Sequence, residues 1–256
     1  MSTHQGKFVW HELLTTDLEA AAAFYRTVLG WETRDAGMSD HRYTLCSAGG
    51  TLVAGMMPTP EEARVKGVSP CWTGYIAVDD VEAFVNRVVD AGGGLLRAAD
   101  DIPGVGRFAV VKDPQGAVVI LFKAASDAPA PTASRGPGNV GWRELHAHDG
   151  ASALDFYAGL FNWTLSRCID MGPLGAYRIF AIDGADAGGV MTRTPDQPKS
   201  FWLYYFVVDA IEAAAERVAK AGGAVAYGPV QVPGGGSIVQ CFDPQGAAFA
   251  LFAPPH

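Results

Sequence analysis

A strand that runs directly into a helix occurs four times in this chain, and this repeat restricts the possible folds more than any other feature. The first copy, residues 9–25, reads VWHELLTTDLEAAAAFY. It combines an apolar strand, an N-cap at Asp17 and a helix with an alanine-rich face. Aligned on that cap, the later copies place Asp80, Asp149 and Ala210 at the starts of their helices. Four such units predict a chain of two similar halves.

The end of each half is repeated as well. The sequence DPQGA occupies residues 113–117 and again 243–247, and each copy is followed by a Leu-Phe pair. Each DPQG is predicted to be a turn between two strands. With the remaining strands, every unit is predicted to be βαβββ. The predicted fold class is therefore α+β, with four βαβββ modules paired into two open, curved sheets that carry their helices outside.

The composition changes between the halves. Residues 124–139 read AASDAPAPTASRGPGN, which is rich in Ala, Pro, Ser and Gly and has no apolar period. Such a segment is typical of a linker. The predicted division is a first domain at residues 1–123, a linker at 124–139 and a second domain at 140–256.

Composition also excludes several classes of function. The formal net charge is −8, and no basic stripe suited to nucleic acid is found. No apolar stretch approaches the length of a membrane span, and the N-terminus lacks the pattern of a signal peptide. The four cysteines form no CxxC pair, which gives no support for a zinc ribbon or a redox motif. We therefore expect a cytoplasmic protein that binds neither nucleic acid nor membranes.

The sequence resembles the vicinal oxygen chelate superfamily, which includes glyoxalase I, extradiol dioxygenases and bleomycin-resistance proteins. The motifs that carry the resemblance are AAAAFYRTVLGW at residues 20–31, ALDFYAGLFNW at 153–163 and the two DPQGA endings. It is similar in particular to two-domain glyoxalase-like proteins that open each half with Trp-x-Glu-Leu. The resemblance implies paired modules that form cups, the concave faces of the curved sheets.

The resemblance also implies where metal ligands would lie. Metal-dependent members carry His or Gln, and Glu, at six positions that here hold Trp10, Thr73, Ile120, Trp142, Leu203 and Ala250. Indole and alkyl groups offer no lone pair to a divalent ion, and a single threonine hydroxyl is a poor substitute. On this basis no metal and no cofactor is predicted.

Strand alternation suggests which side chains share a face. Trp10 lies on the same face as Glu12, and Trp142 shares a face with Glu144 and His146. If the cups implied by the resemblance are kept, a tyrosine from the next module faces each glutamate. The predicted ligand-binding residues are Trp10, Glu12, Tyr75, Trp142, Glu144 and Tyr205. Each glutamate either anchors a polar ligand, takes part in proton transfer or satisfies neighbouring donors structurally.

Three functions remain open from the sequence. The first is metal-independent binding of a small apolar or aromatic molecule in the sheet cups. The alternative is a metal-dependent lyase or dioxygenase of the glyoxalase type, with Glu144 and His146 as surrogate ligands. A second alternative is an interaction or structural protein whose cups are filled by their own side chains. The expected partner is a small-molecule ligand, while the catalytic residues, the pairing of modules and the oligomeric state are left open.

Overall fold

A computed structural model describes residues 4–38, 41–125 and 136–255 of the chain. The first module comprises β1 (Phe8–Thr15), α1 (Leu18–Leu29), β2 (Glu32–Asp35), β3 (Thr44–Ala48) and β4 (Thr51–Pro58). After a short helix, α2 (Glu61–Val65), the second module comprises β5 (Cys71–Ala77), α3 (Val81–Asp90), β6 (Gly94–Ile102), β7 (Gly106–Lys112) and β8 (Val118–Ala124).

The second half repeats this order. The third module comprises β9 (Val140–Ala147), α4 (Gly150–Phe161), β10 (Thr164–Asp170), β11 (Ala176–Ile182) and β12 (Ala185–Thr192). The fourth comprises β13 (Phe201–Val207), α5 (Ile211–Lys220), β14 (Ala224–Gln231), β15 (Ser237–Phe242) and β16 (Ala248–Ala253). Each module is therefore βαβββ, which confirms the predicted pattern.

The strands form two open eight-stranded sheets. Their strand orders are β2-β3-β4-β1-β5-β8-β7-β6 and β10-β11-β12-β9-β13-β16-β15-β14. Within each module the first strand runs parallel to the last, as in the pairing of β1 with β4 and of β9 with β12. The observed class is α+β with tandem glyoxalase-like halves, as predicted from the repeat. None of the described helices is long and apolar enough to cross a membrane.

Two details differ from the sequence prediction. The segment after β4 was expected to cross the surface without a helix, but it forms α2, whose one turn is closed on its exposed side by an Arg64–Glu61 ion pair. The edge strands β6 and β14 also extend well beyond the predicted residues 95–97 and 224–227. Both strands are largely exposed, so they lack the alternation that marks a half-buried strand.

Helix starts follow the cap signals in the sequence. The Asp17 carboxylate accepts the backbone N–H of Ala20 at 3.0 Å, and Asp80 caps α3 in the same way through Ala83. In the fourth module Ala210 stands at this position, and α5 begins without a side-chain cap. The repeated aspartate thus stabilises the start of three of these four helices, because it satisfies a backbone donor that the helix leaves free.

Contacts divide the described chain into two compact units that alternate along the sequence. One contains the described residues within Met1–Val9, Thr73–Ala130 and Trp142–Trp202, which include most of the second and third modules. The other contains those within Trp10–Trp72, Pro131–Gly141 and Leu203–His256, which include most of the first and fourth. The pairing of modules, left open by the sequence, is thus second with third and first with fourth. The predicted domain boundaries remain a sequence-based division, and linker residues 126–135 lie outside the described residues.

A buried tyrosine joins the two modules of each unit. In the unit of the second and third modules, the Tyr157 hydroxyl donates to Asp113 Oδ2 at 3.2 Å and accepts the indole N–H of Trp202 at 3.1 Å. In the other unit, Tyr25 donates to Asp243 at 3.1 Å and accepts from Trp72 at 2.8 Å. The repeated FY of the helices and the repeated DPQG are therefore partners in the core.

Each DPQG aspartate is a buried ligand for backbone as well as side-chain donors. The Oδ1 atom of Asp113 accepts the N–H groups of Gln115 and Ala117 at 2.8 and 2.9 Å, and Asp243 repeats this arrangement. Burial raises the pKa of the Asp113 and Asp243 carboxyl groups above the ordinary value for aspartic acid, and the hydrogen bonds oppose that rise only partly. The turn predicted from the sequence is thus also a core element.

Arginine side chains close the helix C-termini inside each unit. Arg87 of α3 donates to the Leu160 carbonyl near the end of α4 at 3.0 Å, and Arg217 of α5 donates to the Val28 carbonyl of α1 at 2.9 Å. The last carbonyls of a helix have no partner within it, and a cation there also interacts favourably with the helix dipole. These contacts bind the helices of partner modules together.

Candidate ligand-binding site

The third module places a buried carboxylate on one face of β9. Trp142, Glu144 and His146 alternate with Arg143 and Leu145 along this strand, so the first three project from the same side of the sheet. Glu144 and His146 are only 7% and 4% exposed, whereas Trp142 is half-buried. A polar ligand could therefore meet the indole before the carboxylate.

A chain of directed hydrogen bonds joins Trp142 to Glu144. The Trp142 indole N–H donates to the Tyr177 hydroxyl at 2.7 Å, and that hydroxyl donates to Glu144 Oε2 at 2.8 Å. Both donors point toward the carboxylate, which favours its ionised form. We call Trp142, Tyr177 and Glu144 the third-module site.

A glycine makes room for the tyrosine of this site. Gly189 of β12 is the register partner of Glu144 on β9, and a Cβ at Gly189 would coincide with the Tyr177 phenol. The ring therefore lies directly across the strand backbone to reach the glutamate. Any larger residue at position 189 would displace it.

The first module repeats the same construction. Trp10 donates to the Tyr43 hydroxyl at 3.0 Å, and Tyr43 donates to Glu12 Oε2 at 2.9 Å. Gly55, the register partner of Glu12, lies beneath the Tyr43 ring. Burial, and then the negative charge of Glu12, raises the pKa of the Tyr43 hydroxyl. The tyrosine therefore stays protonated and remains a donor, and we call Trp10, Tyr43 and Glu12 the first-module site.

The third-module site has an extension based on His146. His146 Nε2 lies 2.8 Å from Glu144 Oε1, and its Nδ1 lies 3.2 Å from Gln197 Oε1. The ring also stacks on Phe201, with 4.6 Å between centroids and 10° between planes. In the first module the equivalent strand position is Leu14, so this imidazole distinguishes the two sites.

The structure brings four of the six predicted ligand-binding residues into these two sites. Trp10 is joined to Glu12, and Trp142 to Glu144, in each case through a tyrosine. Tyr75 packs edge-on against Phe122 at 5.8 Å, and the Tyr205 hydroxyl accepts from Gln240 Nε2 at 2.9 Å. A ligand-binding role for any of the six remains a prediction.

Sequence reasoning missed Tyr43, Tyr177 and Gln197 as parts of the sites. The two tyrosines are visible in the sequence as a matched pair, because each lies a little over thirty residues after the glutamate that it contacts. That regularity could have assigned them to the sites. Gln197 has no such signal, because it lies in the loop between β12 and β13, a region that the first half does not repeat.

The family's metal-ligand positions do not fit a metal ion in this chain. Ile120 and Ala250 are buried alkyl groups, Leu203 is apolar, and the indole nitrogens of Trp10 and Trp142 donate to tyrosines rather than accept. Within the described ranges, no three His, Cys, Asp or Glu side chains are grouped so that they could hold a metal ion. Glu144 and His146, the predicted surrogate ligands, are hydrogen-bonded to each other.

Comparison with known families gives one match that covers most of the chain. The model of the Glyoxalase/Bleomycin resistance protein/Dioxygenase superfamily matches residues 7–121 and again residues 140–251. The two matches coincide with the two halves of the sequence repeat.

Two relatives are similar over nearly their whole length. The Mycobacterium bovis protein named "Putative glyoxylase CFP32" is 35% identical over 252 residues, which cover 98% of this chain and 95% of that protein. "Anthracycline biosynthesis protein DauV" of Streptomyces sp. (strain C5) is 31% identical over 261 residues, which cover 96% and 92%.

Solved structures share the fold at low sequence identity. The Mn(II)-bound glyoxalase from Novosphingobium aromaticivorans has a TM-score of 0.66 and 14% identity, with 100% of this chain and 84% of that chain covered. The 2,3-dioxygenase LapB from Pseudomonas sp. KL28 has a TM-score of 0.66 and 15% identity, with 99% and 94% covered. At such identities the likeness concerns the fold alone.

Proposed function

This chain belongs to the Glyoxalase/Bleomycin resistance protein/Dioxygenase superfamily, and on that premise we propose that it binds a small, partly aromatic molecule without a metal ion. The observation that carries the proposal is the Trp–Tyr–Glu chain of hydrogen bonds, which occurs in both the first-module and the third-module site. In both sites the indole stands at a position where metal-dependent members of the family carry a ligand.

The chemistry of these sites suits a flat ligand that carries a hydrogen-bond donor. The half-buried Trp142 and Tyr177 offer aromatic surface, and the buried Glu144 offers acceptor oxygens. Ligand sites commonly combine aromatic walls with a few fixed polar groups that orient the ligand. A hydroxyl or amine on an aromatic ring would meet both features at once.

The names of relatives guide the choice of compounds. Two relatives, DauV and DnrV, are named anthracycline biosynthesis proteins, and the second is 30% identical over 261 residues. We therefore extend the proposal to flat, hydroxylated, polycyclic ligands. Suitable probes are 2-naphthol and 2-hydroxyanthraquinone, with naphthalene as the control that lacks the hydroxyl group.

Calorimetric titration of the purified protein with these probes tests the proposal. We expect the double variant Tyr43→Phe/Tyr177→Phe to bind 2-naphthol about 5- to 20-fold more weakly, since a lost hydrogen bond contributes about 1–1.8 kcal/mol. The exposed Tyr227 provides the control, and Tyr227→Phe should bind as the natural protein does. Equal affinity for 2-naphthol and naphthalene, or no effect of the double variant, would contradict the role given to the glutamates.

The glyoxalase- or dioxygenase-type alternative rests on the adjacent Glu144 and His146 side chains. Protein prepared without an affinity tag should be analysed for metal and titrated with Zn²⁺, Ni²⁺ and Fe²⁺ while its thermal stability is followed. Stoichiometric metal that disappears in Glu144→Ala or His146→Ala would overturn metal-independent binding. A metal bound only by the folded state must raise its stability, so an unchanged melting temperature supports the proposal. If neither metal nor aromatic probes bind, a structural role is favoured.

A further inference from the structure

His146 is held so that both of its ring nitrogens face oxygen atoms. Nε2 lies 2.8 Å from Glu144 Oε1, and Nδ1 lies 3.2 Å from Gln197 Oε1. The ring is buried and stacked on Phe201, which fixes its plane. A neutral imidazole carries one N–H and one acceptor nitrogen, so it could donate to only one of these oxygens.

The identity of the atom that faces Nδ1 follows from its other partner. The backbone N–H of Thr194 points at the same Gln197 atom at 3.3 Å. A backbone N–H can pair only with an acceptor, so this atom is the amide oxygen and not the nitrogen. The Arg193 guanidinium donates to the Gln197 backbone carbonyl and so fixes the loop. Nδ1 must therefore carry a proton.

The proton on Nε2 follows from the surroundings of Glu144. Its Oε2 accepts the Tyr177 hydroxyl, which in turn accepts from Trp142. Donors directed at a carboxylate favour its ionised form, and an ionised carboxylate has no proton to donate to Nε2. His146 must therefore donate through Nε2 as well as through Nδ1.

We infer that His146 and Glu144 form a buried imidazolium–carboxylate pair, and that this pair makes the third-module site select uncharged ligands over cations. The inference rests on the proposed ligand-binding function for its second part only. A lone buried carboxylate would attract a cationic group, whereas a carboxylate already paired with an imidazolium gives no such gain and leaves the cation's loss of hydration uncompensated. His146 is thus proposed as a specificity-determining residue.

The charge of the pair can be measured without any ligand. Nitrogen-15 NMR of the histidine rings at pH 7 distinguishes an imidazolium, with both nitrogens protonated, from a neutral tautomer. The His146 signal is identified by its loss in His146→Leu or, if that variant does not fold, in His146→Gln. His148→Leu, a change at the exposed neighbouring histidine, should leave the signal in place. We expect both nitrogens of His146 to be protonated, and a neutral ring would overturn the inference.

Selectivity is tested with two probes of the same shape, N-methylquinolinium and 1-methylnaphthalene. Binding at the third-module site is followed through the indole N–H signal of Trp142, which is identified by its loss in Trp142→Phe. In the natural protein we expect the neutral probe to bind at least 10-fold more tightly. In His146→Gln, which removes the positive charge and keeps a hydrogen-bond donor, this preference should fall by at least 10-fold.

The two measurements separate failure of this inference from failure of the proposed function. If neither these probes nor 2-naphthol moves the Trp142 signal, the ligand-binding proposal fails, while the NMR state of His146 still decides whether the ion pair exists. If ligands bind and His146→Gln leaves the ratio of the two affinities unchanged, the role of His146 in selectivity is refuted and the binding proposal stands.

Discussion

Gly189 positions a functional group through the side chain that it lacks. The Tyr177 ring occupies the space that a Cβ at Gly189 would need, and this placement lets the phenol reach Glu144. Gly55 has the same relation to Tyr43 in the first module. At these two positions the reason for glycine is close packing of a side chain against the backbone, since neither residue has a positive φ.

We predict that Gly189→Ala destabilises the protein by about 1–3 kcal/mol, because it forces Tyr177 out of a packed position. Gly159→Ala is a matched control. Gly159 is an exposed residue of α4 and a Cβ there meets no other atom within 4 Å, so this change should stabilise the helix by about 0.5–1 kcal/mol. Urea unfolding of both variants measures these effects. A neutral Gly189→Ala would mean that the tyrosine can lie elsewhere at no loss.

The sequence allowed part of the site to be predicted at the residue scale. Trp142 and Glu144 share a strand face by simple alternation, and the structure joins them as neighbours in one hydrogen-bond chain. Tyr177 reaches the same carboxylate from β11, across β12. Alternation describes one strand at a time, so it cannot show that a ring crosses an intervening strand. This contact depends on tertiary structure.

At the scale of elements, the DPQG segment combines a turn with a core anchor. Proline, glycine and aspartate in this order predict the turn from local geometry alone. The burial of Asp113 and its bond to Tyr157 come from a different module, and no local rule contains that information. Helix starts were predictable because a capping aspartate acts on its own neighbours. The edge strands β6 and β14 were less so, because exposed strands carry no apolar alternation.

We predict a pH-dependent difference between the natural protein and Asp113→Asn. Burial raises the pKa of Asp113 in the folded state. Its carboxyl group therefore favours folding most strongly below the unfolded-state pKa of about 3.9, and that contribution is lost as the pH rises through the folded-state pKa. The free energy of unfolding of the natural protein minus that of Asp113→Asn should fall from pH 3.5 to pH 7.

Urea unfolding at several pH values provides the measurement. Carboxyl groups whose pKa is lowered, such as those of Asp149 and Glu82, have the opposite dependence in both proteins and cancel in the difference. A difference that stays constant across this range would mean that the Asp113 pKa is the same in the folded and unfolded states. A difference that rises would mean that the hydrogen bonds outweigh burial.

At the scale of the whole molecule, the grouping of modules was not predictable. All four modules have similar patterns of strands and helices, and a pattern shared by all of them cannot select partners. The selection depends on particular contacts, such as Tyr25 with Asp243 and Arg217 with the Val28 carbonyl. Within both compact units the partners come from different halves of the sequence.

We predict that the two halves fold best together. A fragment of residues 1–130 contains the first and second modules, so each of these lacks the partner with which it forms a compact unit. Expressed alone, this fragment and the fragment of residues 131–256 should self-associate or unfold, whereas co-expressed fragments should purify as a complex. Size-exclusion chromatography and tryptophan fluorescence provide the measurement. Two separate, folded monomers would instead support independent domains on either side of the linker.

The interleaved order of the modules also has a consequence during protein synthesis. The Tyr25 hydroxyl pairs with Asp243, which lies 218 residues later in the chain. At translation rates of about 5–20 residues per second, the first module leaves the ribosome roughly 10–40 s before this partner exists. The nascent chain therefore has to hold exposed aromatic surface for that time, and a codon change that slows translation of the second half would lengthen the exposure.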